Sequence, residues 1–484
     1  MFLVARSAGS PDDPKKEQTI MAACFFCAAA MLTLTHHPTA QSTIVVDCQT
    51  SGPADLVKKF DMCQTGHSGV DHWLKAARGR IEPLKLRHIR IVGALLHKTQ
   101  GGQPLLTEVL RLIQREGAAV YLCLDPNVLE RGRRRLKPTD LDAWRKLLTA
   151  VARQAKSFGC VYYEVWNEPN YDLFFKGTPQ DLFDLYKIMV ETVSKVDPDA
   201  RFVGPGFTSG GIVKWTEPFL QFVDREKLPL HAFAFHEFGR GYDLAEQWIV
   251  ENSTFVFEHL GRYPRFADTE VHIGECSFFP EPVNGGPADR AEAAAHLPHV
   301  FRVLVEHPRI TLVQWAQLFD TGSTHKWGNL GVIDIETGKP KPVYNVFLMY
   351  AMMPVPRIAC CEAGPVKALA SKDDSTVAVM LYNTGGQSSV CDLTIENHSF
   401  ADGPAHLTRL AVDADHSSFW EKSGSTGQLE CVEQRLVKSD ASSAPIRLTV
   451  SVPGPGAQLL LLSPGKPRLP YGVLLPSRSA ADSR

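Results

Sequence analysis

The string Tyr163-Glu164-Val165-Trp166-Asn167-Glu168-Pro169-Asn170 places three polar side chains directly behind a run of strand-forming residues. Val161 to Trp166 is β-branched and aromatic, which suits a pleated, half-buried strand, and Pro169-Asn170 makes the turn that ends it. Asn167 and Glu168 therefore leave the C-terminal end of a strand and enter a loop. In a closed parallel barrel that end carries the active-site loops, so both side chains are candidates to line a cleft. The bland reading, a polar loop start with a turn-making Pro-Asn pair, gives no reason for Trp-Asn-Glu-Pro at a strand exit.

Outward from this string, short β-branched runs alternate with helical patterns, an order that requires parallel strands joined by crossovers. The runs are Lys59–Cys63, His88–Val92, Ala119–Leu124, Val161–Trp166, Arg201–Gly204, His231–Phe235, Glu270–Ile273 and Ile310–Trp315. Eight such strands imply an α/β fold closed into a (β/α)8 TIM barrel. The clearest helix follows the fourth strand: Thr178 caps, Pro179 suits the first helical position, Asp181 favours the positive end, and Leu182, Tyr186, Met189 and Val193 recur at helical spacing. Two more helices are read at Leu141–Ser157 and Val343–Met352.

Beyond Pro356 the pattern turns to strands alone. Thr376–Tyr382, Val390–Glu396, Ile446–Val452 and Ala457–Leu462 are separated by Gly, Ser, Asp and Pro clusters, as in an antiparallel β-sandwich. Ser42–Asp47 precedes the first barrel strand and has the option of pairing with this second domain. The expected organisation is a leader at 1–40, a catalytic barrel at 41–355, a β-sandwich at 356–470 and a flexible tail at 471–484 that either wraps the surface or is disordered.

A chain of 484 residues exceeds what one core usually covers, which fits two domains. Its 44% hydrophobic and 21% charged residues are ordinary globular usage, and a net charge of −2 leaves no electrostatic footprint for nucleic acid. Lys15 and Lys16 precede an apolar stretch from Thr19 to Leu34 that is too short to span a bilayer and has the length of a secretory signal core. Export is the expectation, with no membrane span in the mature chain. The 11 cysteines leave an odd nine after the leader, with no CxxC pair among them, so neither a disulfide framework nor a metal cluster is implied. Asn252-Ser253-Thr254 and Asn397-His398-Ser399 fit the glycosylation sequon. G-x-S-x-G, G-x-x-x-x-G-K-[ST] and H-E-x-x-H are absent, and Gly204-Pro205-Gly206-Phe207 lacks the third glycine of a dinucleotide loop. No cofactor is implied.

Asn-Glu-Pro after the fourth strand, with a second glutamate after the seventh, resembles the clan of retaining (β/α)8 glycosidases. Phe60 to Gly66-His67, Val203-Gly204-Pro205-Gly206 and Phe266-Ala267-Asp268-Thr269 narrow the resemblance to glycoside hydrolase family 39, the family of β-xylosidases and α-L-iduronidases. The resemblance implies a hydrolase acting on an oligosaccharide or glycoside, with Glu168 as general acid/base and Glu275 as nucleophile. An endo-glycanase, an arabinofuranosidase or a non-catalytic carbohydrate-binding barrel are the competing readings.

The choice of Glu275 over Glu270 rests on position. Val271 and Ile273 alternate as strand residues do, which leaves Glu270 at the N-terminal end and Glu275 at the exit, and only the exit faces the active site. A retaining enzyme needs its two carboxyl groups ~5–5.5 Å apart, close enough for the pair to hold one proton, here assigned to Glu168, while Glu275 stays charged. Arg90, on the second strand, resembles the clan's basic residue beside the nucleophile, and its bland reading is a surface arginine. Asn167 is placed for a sugar 2-hydroxyl; His236 resembles the family's histidine at that site, against the bland reading of a satisfied structural histidine, and His67 resembles a family residue that meets the substrate. Trp315, ending the eighth strand, suits an apolar floor for a sugar ring, against the bland reading of core packing. Many clan members carry a tyrosine after the sixth strand; this chain reads His236-Glu237-Phe238 there, leaving Tyr242 as a weak substitute. The basic run Arg131 to Lys137 reads as a solvated loop or as an attractor for an acidic sugar.

Overall fold

The computed structural model describes residues 40–56, 59–64, 79–92, 99–100, 103–124, 137–172, 174–239, 242, 245–278, 289–307, 309–320, 329–400, 404–438 and 444–476. Ala40–Arg484 form one compact unit. Residues 1–39 of the expected leader, His67 and Arg131–Leu136 lie outside the described residues, whereas Ala40, given to the leader at its boundary, opens a strand that runs to Ser51. Among the described residues no helix is long and apolar enough to cross a membrane.

Eight parallel strands close a barrel: Phe60–Gln64, His88–Val92, Ala119–Leu124, Cys160–Val165, Arg201–Val203, Ala232–Phe238, Glu270–Ser277 and Ile310–Ala316. Each pairs with the next and the eighth pairs with the first. Helices Leu105–Arg115, Leu141–Ser157, Pro179–Val193, Ser209–Arg225, Glu251–Leu260, Ala291–Glu306 and Pro342–Met352 lie between or after them. The helix after the fourth strand starts as its sequence implies: Thr178 Oγ1 accepts from the Asp181 amide while the Asp181 carboxylate accepts from the Thr178 amide, closing a capping box.

Strand alternation divides each strand between two environments. Ile89, Ile91, Val120, Leu122, Leu124, Phe233, Phe235, Val271 and Ile273 face outward into the core shared with the helices. Tyr121, Tyr162, Val203, Ala232, Ala234 and Leu312 fill the barrel interior. Arg90, Glu164, His236 and Gln314 have the interior parity and are buried.

The seventh strand breaks this parity at one residue. Phe235 lies opposite Ile273, but His236 lies opposite Glu275, so Gly274 is an unpaired bulge. Unbroken alternation would put Glu275 on the outer face with Val271 and Ile273. The bulge turns it inward and sends Cys276 out into the helix-side core. Gly274 suits this position because a Cβ there would stand 3.2 Å from His236 Nε2.

The second domain is a nine-stranded sheet that folds over on itself. Ala40–Ser51 runs antiparallel to Arg357–Ala363 and parallel to Ser389–Glu396, so this strand belongs with the C-terminal domain and not with the 41–355 barrel segment. Its register explains why: Ile44, Val46 and Cys48 need a buried face, and the sandwich core supplies it. Ile446–Val452 alternates buried and exposed, as a one-sided strand does. Val377–Asn383 and Gly456–Ser463 are buried throughout because their two faces meet different cores. Val379, Leu381, Leu460 and Leu462 pack inside the sandwich, whereas Met380, Tyr382, Leu459 and Leu461 join the barrel's core. Of the tail, residues 471–476 lie along the sandwich surface: Leu474 exchanges backbone bonds with Leu429 and Cys431 at 2.8 Å each, and Val473 packs on the barrel core. No disulfide joins any two of the nine cysteines from Cys48 to Cys431. The Asn252 side-chain amide, part of the first sequon, is bonded to the buried Glu237 carboxylate, whose pKa burial pushes up to about 7.

Candidate active site

The turn after the fourth strand is held in an unusual backbone conformation. Trp166 and Glu168 have φ values of 62° and 47°, in the left-handed region that costs a non-glycine residue about 1–2 kcal/mol. Several bonds offset this strain. The Trp166 amide donates to the Leu124 carbonyl at 2.9 Å and its indole to the Phe174 carbonyl at 3.0 Å, and the Glu168 amide donates to the Gly206 carbonyl at 2.9 Å. Asn170 grips Thr208 twice, donating to its hydroxyl at 2.6 Å and accepting from its amide at 2.9 Å. A rigid turn thus presents Asn167 and Glu168 at the barrel's C-terminal face.

Glu168, His236 and Glu275 converge there, each contributing an atom that lies within 4.8 Å of the others. His236 Nδ1 is 2.9 Å from Glu168 Oε1 and 3.8 Å from Glu275 Oε2, so the imidazole stands between the two carboxylates. Glu275 Oε1 accepts a 2.8 Å bond from Arg90 Nη1. The same guanidinium donates from Nε to Glu164 Oε2 at 2.7 Å, and from Nη2 to Glu164 Oε1 and to Asn167 Oδ1 at 2.9 Å each. Arg90 is fully buried, which rules out the surface-arginine reading. Burial alone opposes its charge, but the flanking Glu164 and Glu275 carboxylates raise its pKa well above the ordinary value.

Electrostatics fall on Glu275. Burial pushes its carboxyl above the ordinary 4.5; His236 and Arg90 pull it down, and Glu168 pushes it up again. Two carboxylates this close resist holding two charges, and of the two only Glu275 has a guanidinium bonded to it.

The other residues singled out in the sequence divide. Glu270 sits at the opposite end of the seventh strand, where its carboxylate accepts from Arg201 at 2.7 Å, from Tyr162 at 2.8 Å and from His272 at 2.9 Å. Burial raises its pKa, but His272, Tyr162 and Arg201 outweigh that and bring it down to about 2. A carboxyl depressed this way stabilises the fold above its unfolded value of 4.5, and the contribution is lost as pH falls through about 2. Glu270→Gln should therefore lower stability at neutral pH by about 1–3 kcal/mol in denaturant titration, while kcat stays within about twofold.

Trp315 does not form a sugar floor. Leu312 and Gln314 have the interior parity, so Trp315 points outward, 3% exposed, with its ring 5.6 Å from Phe347 of the last helix and 5.2 Å from Phe278. Tyr242 stacks on His296 at 4.4 Å on the helix side. Lys137, the described end of the basic run, pairs with Asp181.

Three further residues complete the site. Glu164 looks like a solvent-facing strand residue in sequence, yet its parity with Tyr162 places it inside the barrel. Gly206 and Gly274 leave room for the catalytic side chains: a Cβ on Gly206 would stand 2.4 Å from Glu164 Oε1 and 2.7 Å from His236 Nε2. A charged residue two positions after a barrel-interior aromatic was the available signal for Glu164.

Comparison with known proteins agrees with this geometry. The family model described as glycosyl hydrolases family 39 matches residues 136–397, more than half of the chain. The chain belongs to glycosyl hydrolase family 39. A β-xylosidase of Geobacillus stearothermophilus is 32% identical over 240 residues, 44% of this family 39 chain and 46% of the relative, so the chain spans about half the length of that curated relative. Among solved structures, the family 39 enzyme of Xanthomonas axonopodis pv. citri superposes with a TM-score of 0.71 at 17% identity, covering 87% of this chain and 97% of that one. A family 39 β-xylosidase of Caulobacter crescentus gives 0.66 at 16% identity, covering 87% and 100%.

Proposed function

We propose that this family 39 chain is a retaining glycosidase that removes a terminal sugar of xylose type through a covalent intermediate on Glu275. One observation carries the reading: carboxyl oxygens of Glu168 and Glu275, from the fourth and seventh strands, lie within 4.8 Å of one another at the C-terminal face. That spacing suits double displacement and leaves no room for the water that an inverting enzyme places between carboxyls ~6.5–9.5 Å apart.

In the first step Glu275 Oε2, the oxygen not bonded to Arg90, attacks the anomeric carbon. The bond to the leaving oxygen breaks as Glu168 delivers its proton to that oxygen. In the second step Glu168 takes a proton from water, the hydroxide oxygen displaces Glu275 from the anomeric carbon, and both carboxyls return to their starting states. Asn167, oriented by Arg90, is available to a 2-hydroxyl, and His236 holds Glu168 in place.

The xylose assignment draws on the 32% identity to the Geobacillus stearothermophilus β-xylosidase. The test is a panel of aryl glycosides that includes the β-D-xyloside, the α-L-iduronide and the α-L-arabinofuranoside, with the first-formed anomer followed by proton NMR. Fastest turnover on the xyloside with retention of configuration is expected. Inversion would sink the mechanism, and preference for another sugar would reassign the substrate. The leader and export expected from the amino terminus are part of the same proposal: the chain works outside the cytoplasm, and detection of unprocessed protein confined to the cytosol would count against it.

A further inference from the structure

Arg90 meets two carboxylates in unequal ways. Glu164 takes the planar edge of the guanidinium with a two-pronged fork, at 2.7 Å from Nε and 2.9 Å from Nη2, whereas Glu275 receives one bond from Nη1. A fork is the stronger and more directional arrangement, so it fixes the plane of the guanidinium. With that plane fixed, Nη1 is aimed at Glu275 and the second hydrogen of Nη2 at Asn167. Without Glu164 the same edge would be open to Glu275, which would then be gripped at both oxygens and lose the free one that attacks. The side chains of Arg90 and Glu164 are wholly buried, so water does not substitute for the missing carboxylate.

The groups around this pair define the charge balance. Glu275 faces Arg90 from the second strand, His236 from the sixth, Glu168 from the fourth and the Cys63 thiol from the first. Glu164 faces Arg90, the Tyr121 phenol from the third strand and His272 from the seventh. Arg90 also has Cys123 beside it. Arg90 is the one permanently charged cation among these groups, and Glu164 holds its larger share.

We propose that Glu164 is a positioning residue for hydrolysis: by occupying the forked edge of Arg90 it limits the nucleophile to one hydrogen bond, which keeps Glu275 singly tethered and free to attack. This deepens the glycosidase reading and rests on it for the role of Glu275, but the charge relation among the three side chains is measurable without turnover.

The experiment is a carbon-13 NMR titration of glutamate side-chain carboxyls in the full chain, with the Glu275 signal assigned by its loss in Glu275→Gln. In Glu164→Gln the fork's negative charge is gone, Arg90 bears wholly on Glu275, and the Glu275 midpoint moves to lower pH by about one unit. In Glu164→Asp the shortened carboxylate loosens the fork, and the midpoint moves the same way by roughly half as much. The acid limb of kcat/KM moves with it, and kcat on an activated aryl glycoside falls about tenfold or more. A merely structural Glu164 would lower Tm and leave the midpoint in place, so either variant, folded and titrating as the wild type does, overturns the proposal. A wild-type chain that hydrolyses no aryl glycoside would remove the glycosidase reading, while the titration would still decide whether Glu164 sets the charge on Glu275.

Discussion

Replacing Glu275 with alanine should reduce kcat on an activated aryl glycoside by on the order of 10⁵-fold, because no other described carboxylate stands where Glu275 stands. The substitution removes the attacking oxygen and leaves Arg90 Nη1 without the acceptor it has at 2.8 Å. A change in the remaining groups does not restore it: Glu164 is committed to Arg90, and Glu270 is at the far end of the same strand. Glu168→Ala should behave differently. With a dinitrophenyl leaving group that departs without a proton, the first step survives and the glycosyl-enzyme accumulates, visible as a burst and as added mass on the intact protein. With an alkyl leaving group both steps fail. Circular dichroism of each variant reports folding separately from turnover. Full activity in Glu275→Ala with loss in Glu270→Ala would reverse the assignment of the nucleophile.

The contrast between those two glutamates also marks what the sequence reveals and where it stops. Which end of the seventh strand each occupies is readable from Val271 and Ile273, since a strand's direction in a parallel barrel assigns its exit to the catalytic face. Which way Glu275 points is not readable by the same alternation, which would turn it outward; the bulge at Gly274 corrects it, and a bulge has no signature beyond a glycine in a strand. Trp315 went astray for the complementary reason. Its position at a strand end is apparent, but its parity, fixed by Leu312 and Gln314, directs it to Phe347. Arg90 and Glu164 are legible one by one as charged residues on strands, a pattern that normally means solvent exposure. Only their mutual pairing makes burial affordable, and that pairing joins residues from two strands. Likewise Ala40–Ser51 finds its partners more than 300 residues away, at Arg357–Ala363 and Ser389–Glu396, and no local pattern announces so distant a register. Strands Ala405–Val412 and Glu430–Val437 escaped the sequence reading because Thr408, Arg409, Glu433, Gln434 and Arg435 interrupt the apolar alternation.

Gly206→Ala should damage both the site and the fold, lowering kcat/KM by about 10²- to 10³-fold and stability by about 2–4 kcal/mol. The added Cβ would lie 2.4 Å from Glu164 Oε1 and 2.7 Å from His236 Nε2, separations that real Cβ atoms do not sustain. Both neighbours are buried and bonded, so neither yields without loss. If Glu164 retreats, the fork on Arg90 opens and the tether on Glu275 changes; if His236 retreats, its 2.9 Å contact with Glu168 goes. If the backbone moves instead, it carries the Gly206 carbonyl, which accepts the Glu168 amide at 2.9 Å and helps hold that residue at its left-handed φ. Every route of relief therefore displaces a residue of the acid/base and nucleophile pair. Gly210→Ala supplies the control, because a Cβ there meets nothing within 4 Å at the start of the helix Ser209–Arg225, where alanine should be neutral or stabilising by up to about 1 kcal/mol. Wild-type kcat/KM in Gly206→Ala would mean that Glu164 and His236 have slack, and that buried packing does not set the geometry of the carboxylate pair.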